Sequence, residues 1–464
     1  MYTRLIFFFF TAYTAALNAQ NQLWAMTNEG GQNGLGTIFN TDAGGNNQNT
    51  LYSFAQTDGA KPLYTDFIQA NNGLLYGVTY RGGAKDIGVF FEYNPLTLNY
   101  TKKFDFDSAN GSKPLGSLIQ ASDGMLYGMT LKGGANDKGV LFQYNPSSSA
   151  YSKKFDFSLN DGCYPHGTLL QLNDSLLYGM TSQGGANNKG VIFQYNLLTS
   201  VCTKKFDFDS IRGSYPLGSL MKAGDGMLYG MSSGGGTYNL GVLFQFDPIS
   251  AGCAKKFEFS GPADGSTPLG FLLQASDGKL YGMTNHGGLY DKGVLFQFDY
   301  NNNAFTKKLD FDSIHGSYPF GSLLQAGNQM LYGMTRLGGA YDSGVLFQFD
   351  PVSGTLTKKL DFNITNGAHP YGNLIQVNPQ LAGISNASET GNAITIFPNP
   401  CHGSFSIHGA QAGLYAITNM LDQTVLSFDI KAGEIKNIDG LEDGLYFITD
   451  QRTHKLFQKI VVVR

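Results

Sequence analysis

The sequence predicts an all-β chain: a seven-bladed β-propeller closed by a C-terminal strand, followed by a small β-sandwich. Three observations carry that reading. A box of the form LYGMT recurs with its aromatic at Trp24, Tyr76, Tyr127, Tyr178, Tyr229, Tyr281 and Tyr332, a period of 51 or 52 residues. Boxes of the forms GVLFQ, KKFDF and GSLLQA keep step with it. The first unit lacks its GSLLQA box, while an orphan copy, YGNLIQV from Tyr371 to Val377, follows the last.

Each box is short, rich in aromatic and β-branched residues and bounded by Gly, Pro, Asn or Asp, which is how a strand reads. Linkers such as ASDG and GGANDKG are of hairpin length, whereas the segment after each KKFDF box is longer and contains a proline. The unit is therefore a four-stranded antiparallel meander, and seven of them fall within the blade numbers of propellers. A blade packs against neighbours on both faces, so its strands are apolar nearly throughout, as in GVLFQ. KKFDF is the outermost strand, where Lys102, Lys103 and their copies discourage edge-to-edge pairing. The displaced strand at Tyr371–Val377 completes the first blade and closes the ring. An open solenoid would need polar capping repeats, which the ends do not supply.

Composition excludes several classes. The 464 residues include 61 glycines, 13% aromatic and 14% charged residues with a net charge of -4, which fits neither a disordered polymer nor a nucleic-acid binder. Residues 1–19, with Arg4 ahead of an apolar run and small residues before Gln20, read as a secretory signal peptide. The run is shorter than the roughly 20 residues a span requires, and no later stretch is long and apolar enough, so no transmembrane segment is expected after cleavage. The propeller is assigned to 20–377, a polar linker to 378–392 and a last domain to 393–464. The four cysteines do not make a disulfide scaffold in a chain of this size, and Cys202 and Cys253 merely occupy equivalent corners of neighbouring units.

The last domain carries Pro398-Asn399-Pro400, then Gly403 and Phe405, the GLY turns at Gly413 and Gly444 with Tyr446 in the second, and a terminal Lys459-Ile460-Val461-Val462. In these it resembles the type A C-terminal sorting domain of the type IX secretion system of Bacteroidota. The resemblance implies a β-sandwich sorting domain, the type IX machinery as partner, and a protein secreted or held at the outer cell surface. The repeats, with LYG, GG, G-V-F and G-P-G at fixed spacing from Leu23 to Val377, resemble the GloVer tandem-repeat family of exported bacterial proteins. That family brings no activity with it.

Loops presented by a rigid scaffold are where function concentrates. The GG-x-x-[DN]-x-G loop places Asp86, Asp137, Asn188, Asn239, Asp291 and Asp342 at one position of six units. Calcium held by these oxygens is one reading. An Asx turn is preferred, because each loop offers one carboxylate at most. Otherwise no cofactor is expected. His286, His315 and His369 belong to the last two units, where a metal site with Asp291 and Asp342 is an alternative. No nucleophile elbow, HExxH helix or sialidase-type aspartate box occurs, so catalytic residues are assigned to none. Tyr238, Tyr290 and Tyr341 occupy one loop position of three consecutive units, and Tyr318 and His369 precede prolines on the same side. Such an arc can stack on a sugar or seat a peptide. The expectation is a non-catalytic binding module for a glycan or a protein. A secreted polysaccharide hydrolase or lyase and a purely structural surface-layer element are the alternatives.

Overall fold

The computed structural model describes residues 21–379 and, in the C-terminal region, 395–397, 404–408, 413–419, 423–431, 436–442, 444–450 and 456–462. The signal peptide, almost all of the linker, and Pro398, Asn399, Pro400 and Gly403 lie outside these residues. Among the described residues there is no α-helix, and no helix is long and apolar enough to cross a membrane. The chain divides into two compact units, Met1–Pro379 and Gln380–Arg464.

The first unit is propeller-like. Its strands form seven antiparallel sheets, each built on four strands in meander order. In the third, Ile119–Gln120 pairs with Leu126–Lys132, then Val140–Asn145, then Ala150–Asp156. The first sheet takes its inner strand from the far end of the unit: Ile375–Val377 pairs with Gln22–Thr27, setting Trp24 opposite Ile375.

Alternation along each LYGMT strand explains why both faces are apolar. Leu75 faces a cluster with Trp24, Met26 and Ile38 of the first sheet, while Tyr76 faces Leu126, Val140 and Phe142 of the third. The seventh sheet likewise packs Tyr332, Met334 and Leu346 against Leu23, Ala25 and Phe39 of the first. In the six boxes that have it, the glycine sits under the ring of a phenylalanine on the paired strand. A Cβ on Gly230 would lie 2.5 Å from Phe244 Cζ.

Three features depart from the sequence reading. The GSLLQA strand is only two residues long in most sheets. The proline-containing connection is partly strand, since Ser112–Pro114 and Cys163–Pro165 pair with the far ends of the long LYGMT strands and occupy backbone groups the short inner strand cannot reach. Each sheet also carries a bulge between its third and outer strands, as at Leu243/Phe244, which turns the lysine edge away from a flat, pairable line. Cys163, Cys202 and Cys253 are free thiols.

In the second unit, strands Thr395–Phe397, Ser404–His408 and Lys436–Asp439 form one sheet, and Thr424–Ile430, Gly413–Asn419, Gly444–Asp450 and Leu456–Val462 another. They share one core containing Ile407, Ile417, Ile430, Ile448 and Ile460, which makes a sandwich. Gly444 opens its strand, the buried Tyr446 donates its hydroxyl to the Glu442 carbonyl at 3.0 Å, and Lys459 pairs with Phe447.

Candidate functional site

The GG loops close on themselves. Asp291 and Asp342 have φ of 54° and 50°, and their Oδ1 atoms accept the amides of Gly287 and Gly338 at 2.8 and 2.9 Å. Asp86, Asp137, Asn188 and Asn239 repeat the bond. These oxygens are spent on an Asx-type turn. Among the described residues, no group of three His, Cys, Asp or Glu side chains is placed to hold a metal ion.

One residue before this Asx position, the loops differ in a way that matters. Asn33, Asn136 and Asn187 donate to the carbonyls of Phe54, Phe157 and Phe208 at 3.0, 2.9 and 2.9 Å, pinning the loop to its outer strand. Tyr238, Tyr290 and Tyr341 stand at the same position. They are 58%, 55% and 62% exposed, and their side chains make no hydrogen bond or ring contact among the described residues. The carbonyl tether has been exchanged for an outward-facing ring on three successive sheets.

The other candidates are held singly. Tyr318 lies edge-on to His286 at 5.1 Å, with the Lys292 ammonium 5.2 Å from its centroid. His315 bonds Asp312 at 2.8 Å, and His369 bonds Glu29 at 3.0 Å. The structure does not bring these histidines to a shared centre.

Sequence reasoning missed the axis. The backbone amides of Asp66, Ser117 and Thr168 donate to the side-chain oxygens of Ser117, Thr168 and Ser219, each one repeat further on. Phe271 donates to Ser322, Ser322 to Asn373, and Asn373 to Asp66. Seven residues thus form a relay around a common centre, interrupted only where the Ser219 amide meets Phe271, which has no acceptor. The preceding residues fit as tightly: a Cβ on Gly167 or Gly218 would lie 2.1 Å from the carbonyl oxygen of the next repeat. The signal was the G-[ST] pair at 51-residue spacing, which the strand reading absorbed into GSLLQA. Asp66 is buried here, and burial raises its carboxyl pKa despite bonds from Asn373 and Ser117.

Over this relay sits an aromatic cup. Tyr64 lies 4.8 Å from His166, 5.6 Å from Phe320 and 5.5 Å from Tyr371, and Phe320 lies 4.7 Å from Tyr371. They enclose a cavity of about 30 Å³, room for a water or a small polar group. His166 Nδ1 is 3.0 Å from the Leu217 carbonyl oxygen, and burial lowers its pKa to about 4, so at neutral pH its Nε2 is an acceptor. The Arg336 guanidinium lies 5.6 Å from the Phe320 centroid and 5.4 Å from that of Tyr371.

The repeat model described as Gloeobacter/Verrucomicrobia repeat matches residues 10–151, 117–274 and 252–413. The chain belongs to that repeat family. The secretion system C-terminal sorting domain matches residues 395–463, which marks the repeat protein for type IX export to the cell surface or beyond. No curated protein matches it. Among solved structures, proteins from Bacteroides uniformis and Bacteroides fragilis, both crystallised under a provisional assignment as 6-phosphogluconolactonase, are 11% and 16% identical. They are covered over 100% and 99% of their length by 77% and 78% of this chain, with TM-scores of 0.52 and 0.53. At these identities the likeness concerns the fold alone. PorZ, a surface component of the type IX system of Porphyromonas gingivalis, is 12% identical with a TM-score of 0.44; the match covers 92% of this chain but only 63% of PorZ.

Proposed function

We propose that residues 22–377 form a closed seven-bladed propeller that acts outside the cell as a non-catalytic binding module for a glycan. Closure is supported by the pairing of Ile375–Val377 with Gln22–Thr27 and by the relay from Asn373 back to Asp66. The binding reading rests on one observation: the rings of Tyr238, Tyr290 and Tyr341 are exposed and have no side-chain partner among the described residues, where equivalent asparagines are tied down. A rigid ring presents such side chains with little further ordering cost, and aromatic faces stack on the apolar faces of sugars. A glycan array probed with the wild type and with a Tyr238→Ala/Tyr290→Ala/Tyr341→Ala variant tests this. Binding by the wild type that the variant loses is expected. Blank arrays for both, or equal signals, overturn it.

A further inference from the structure

Lysines of the repeats fall into two sets. On the outer strands they are occupied: Lys153, Lys204, Lys307 and Lys358 each pair with the carboxylate three residues on, at 2.9, 3.1, 2.9 and 2.9 Å. Around the loops of the second, third and fourth sheets, Lys113, Lys132, Lys138 and Lys189 make no ion pair among the described residues. Each is laid against a tyrosine ring instead. Lys113 and the Arg81 guanidinium lie 5.7 and 5.9 Å from the Tyr80 centroid, and Lys132 and Lys138 lie 6.0 and 4.9 Å from that of Tyr164. Lys189 lies 4.8 Å from the centroid of Tyr215.

These ring-backed cations form one band. Ser112, next to Lys113, pairs with Lys132, which joins the Tyr80 group to the Tyr164 group. Tyr164 and Tyr215 stand one repeat apart, and their backbone amides donate to the Lys138 and Lys189 carbonyls, both at 2.9 Å. Ring and cation therefore keep the same arrangement from one sheet to the next. The Lys138 ammonium donates to the Tyr164 hydroxyl at 2.7 Å and keeps further N–H bonds for another acceptor. Acids alongside are too few to cancel the charge: Asp86 is paired with Arg81 at 2.9 Å, Asp137 turns one oxygen to the Gly133 amide, and the same position of the fourth sheet is the neutral Asn188. The whole chain carries a net charge of -4, so attraction of a polyanion is local to this band. Cations repeated across three sheets match a polymer with repeated charges better than one small anion, and the aromatic surface between them suits sugar rings. Export beyond the cell favours polysaccharide over nucleic acid as that polymer.

We propose that Lys113, Lys132, Lys138 and Lys189, backed by Tyr80, Tyr164 and Tyr215, form a docking band for an acidic polysaccharide, with the ammonium groups taking its carboxylates or sulfates. The band shares no residue with Tyr238, Tyr290 and Tyr341 and does not rest on that arc. Binding of the full chain to immobilised alginate, which is carboxylated, and to dextran sulfate is measured by surface plasmon resonance at low salt, with neutral dextran and duplex DNA as controls. Saturable binding to one or both acidic polysaccharides is expected, with dextran blank and DNA weaker. It is expected to vanish at about 1 M salt, where the screening length is about 3 Å. The variant Lys113→Gln/Lys132→Gln/Lys138→Gln/Lys189→Gln is expected to bind about tenfold more weakly or worse, and Lys138→Gln/Lys189→Gln severalfold more weakly. The outer-strand variant Lys153→Gln/Lys204→Gln/Lys307→Gln/Lys358→Gln, which changes the net charge by the same amount, is expected to stay within about twofold of wild type. The tyrosine triple variant is expected to bind unchanged, so the two sites fail separately. Thermal unfolding checks that each variant is folded, and the double variant carries the reading if the quadruple one is not. Absence of binding to both acidic polysaccharides, equal or tighter binding to duplex DNA, or equal losses in the band and outer-strand variants overturns the proposal.

Discussion

His166 offers a prediction whose size follows from its surroundings. In the unfolded chain its pKa is near 6.5; at the axis, enclosed by Tyr64 and bonded to the Leu217 carbonyl, burial lowers it to about 4. A base with a depressed folded-state pKa binds its proton more readily when unfolded. Its contribution is therefore fully present above pH 6.5 and is lost as pH falls toward 4. At about 1.4 kcal/mol per unit the full interval corresponds to roughly 3.5 kcal/mol; the ring keeps an edge toward solvent, so about 2 kcal/mol is the better expectation. The informative replacement is His166→Leu, because Leu115, Leu217 and Leu269 occupy the same position in other repeats. Carboxylates such as Asp209 and Asp312, whose pKa values are lowered by hydrogen bonds, destabilise both proteins in acid alike, so the difference isolates the imidazole. For a unit of this size 2 kcal/mol is about 3 °C in Tm. Thermal unfolding from pH 7 to pH 4 is expected to show the wild-type Tm falling about 3 °C further than that of His166→Leu. Parallel curves would refute the reasoning.

Further expectations concern the axis, the edge and export. Gly167→Ala and Gly218→Ala each press a methyl group onto a carbonyl oxygen at a distance the backbone cannot yield to, and calorimetry should show losses of about 2–3 kcal/mol or more. Ser322→Ala removes the acceptor of the Phe271 amide and should cost about 1–3 kcal/mol by denaturant unfolding, whereas a loss below a few tenths would remove the relay from any role in stability. Lys204→Ala, which breaks a half-exposed pair with Asp207, should change stability by no more than about 1 kcal/mol, and increasingly little at high salt. Deleting residues 395–463 should abolish appearance at the cell surface, measured by protease accessibility of intact cells, while the repeat unit still accumulates inside.

Much of the architecture was legible because the repeat states it seven times. A box that is apolar at consecutive positions needs partners on both faces, and Leu75 and Tyr76 find theirs on opposite neighbours. The displaced copy at Tyr371–Val377 announced its pairing with the first sheet, since a strand absent at one end and present at the other has one obvious destination. The Asx role of Asp291 and Asp342 was legible too, because the turn is local chemistry between residues four apart. Sequence also singled out Tyr238, Tyr290 and Tyr341, at a loop position where other units carry Asn33, Lys85, Asn136 and Asn187.

What only the tertiary structure decided lies on the axis and between repeats. The relay from Asp66 through Ser117, Thr168 and Ser219 joins residues a full repeat apart, and its closing bond joins residues 307 apart, so no local pattern encodes it. Nothing in the sequence sets His166 apart; enclosure by Tyr64 makes it a neutral acceptor. Arg336 attracted no notice in the sequence, because a lone arginine after LYGMT differs from a paired one only in what the fold places beside it. Periodicity fixes which strands pair and which faces are buried, because those follow from short-range composition. Burial, charge and unmet hydrogen bonds at the centre depend on residues that converge only once the sheets stand around it.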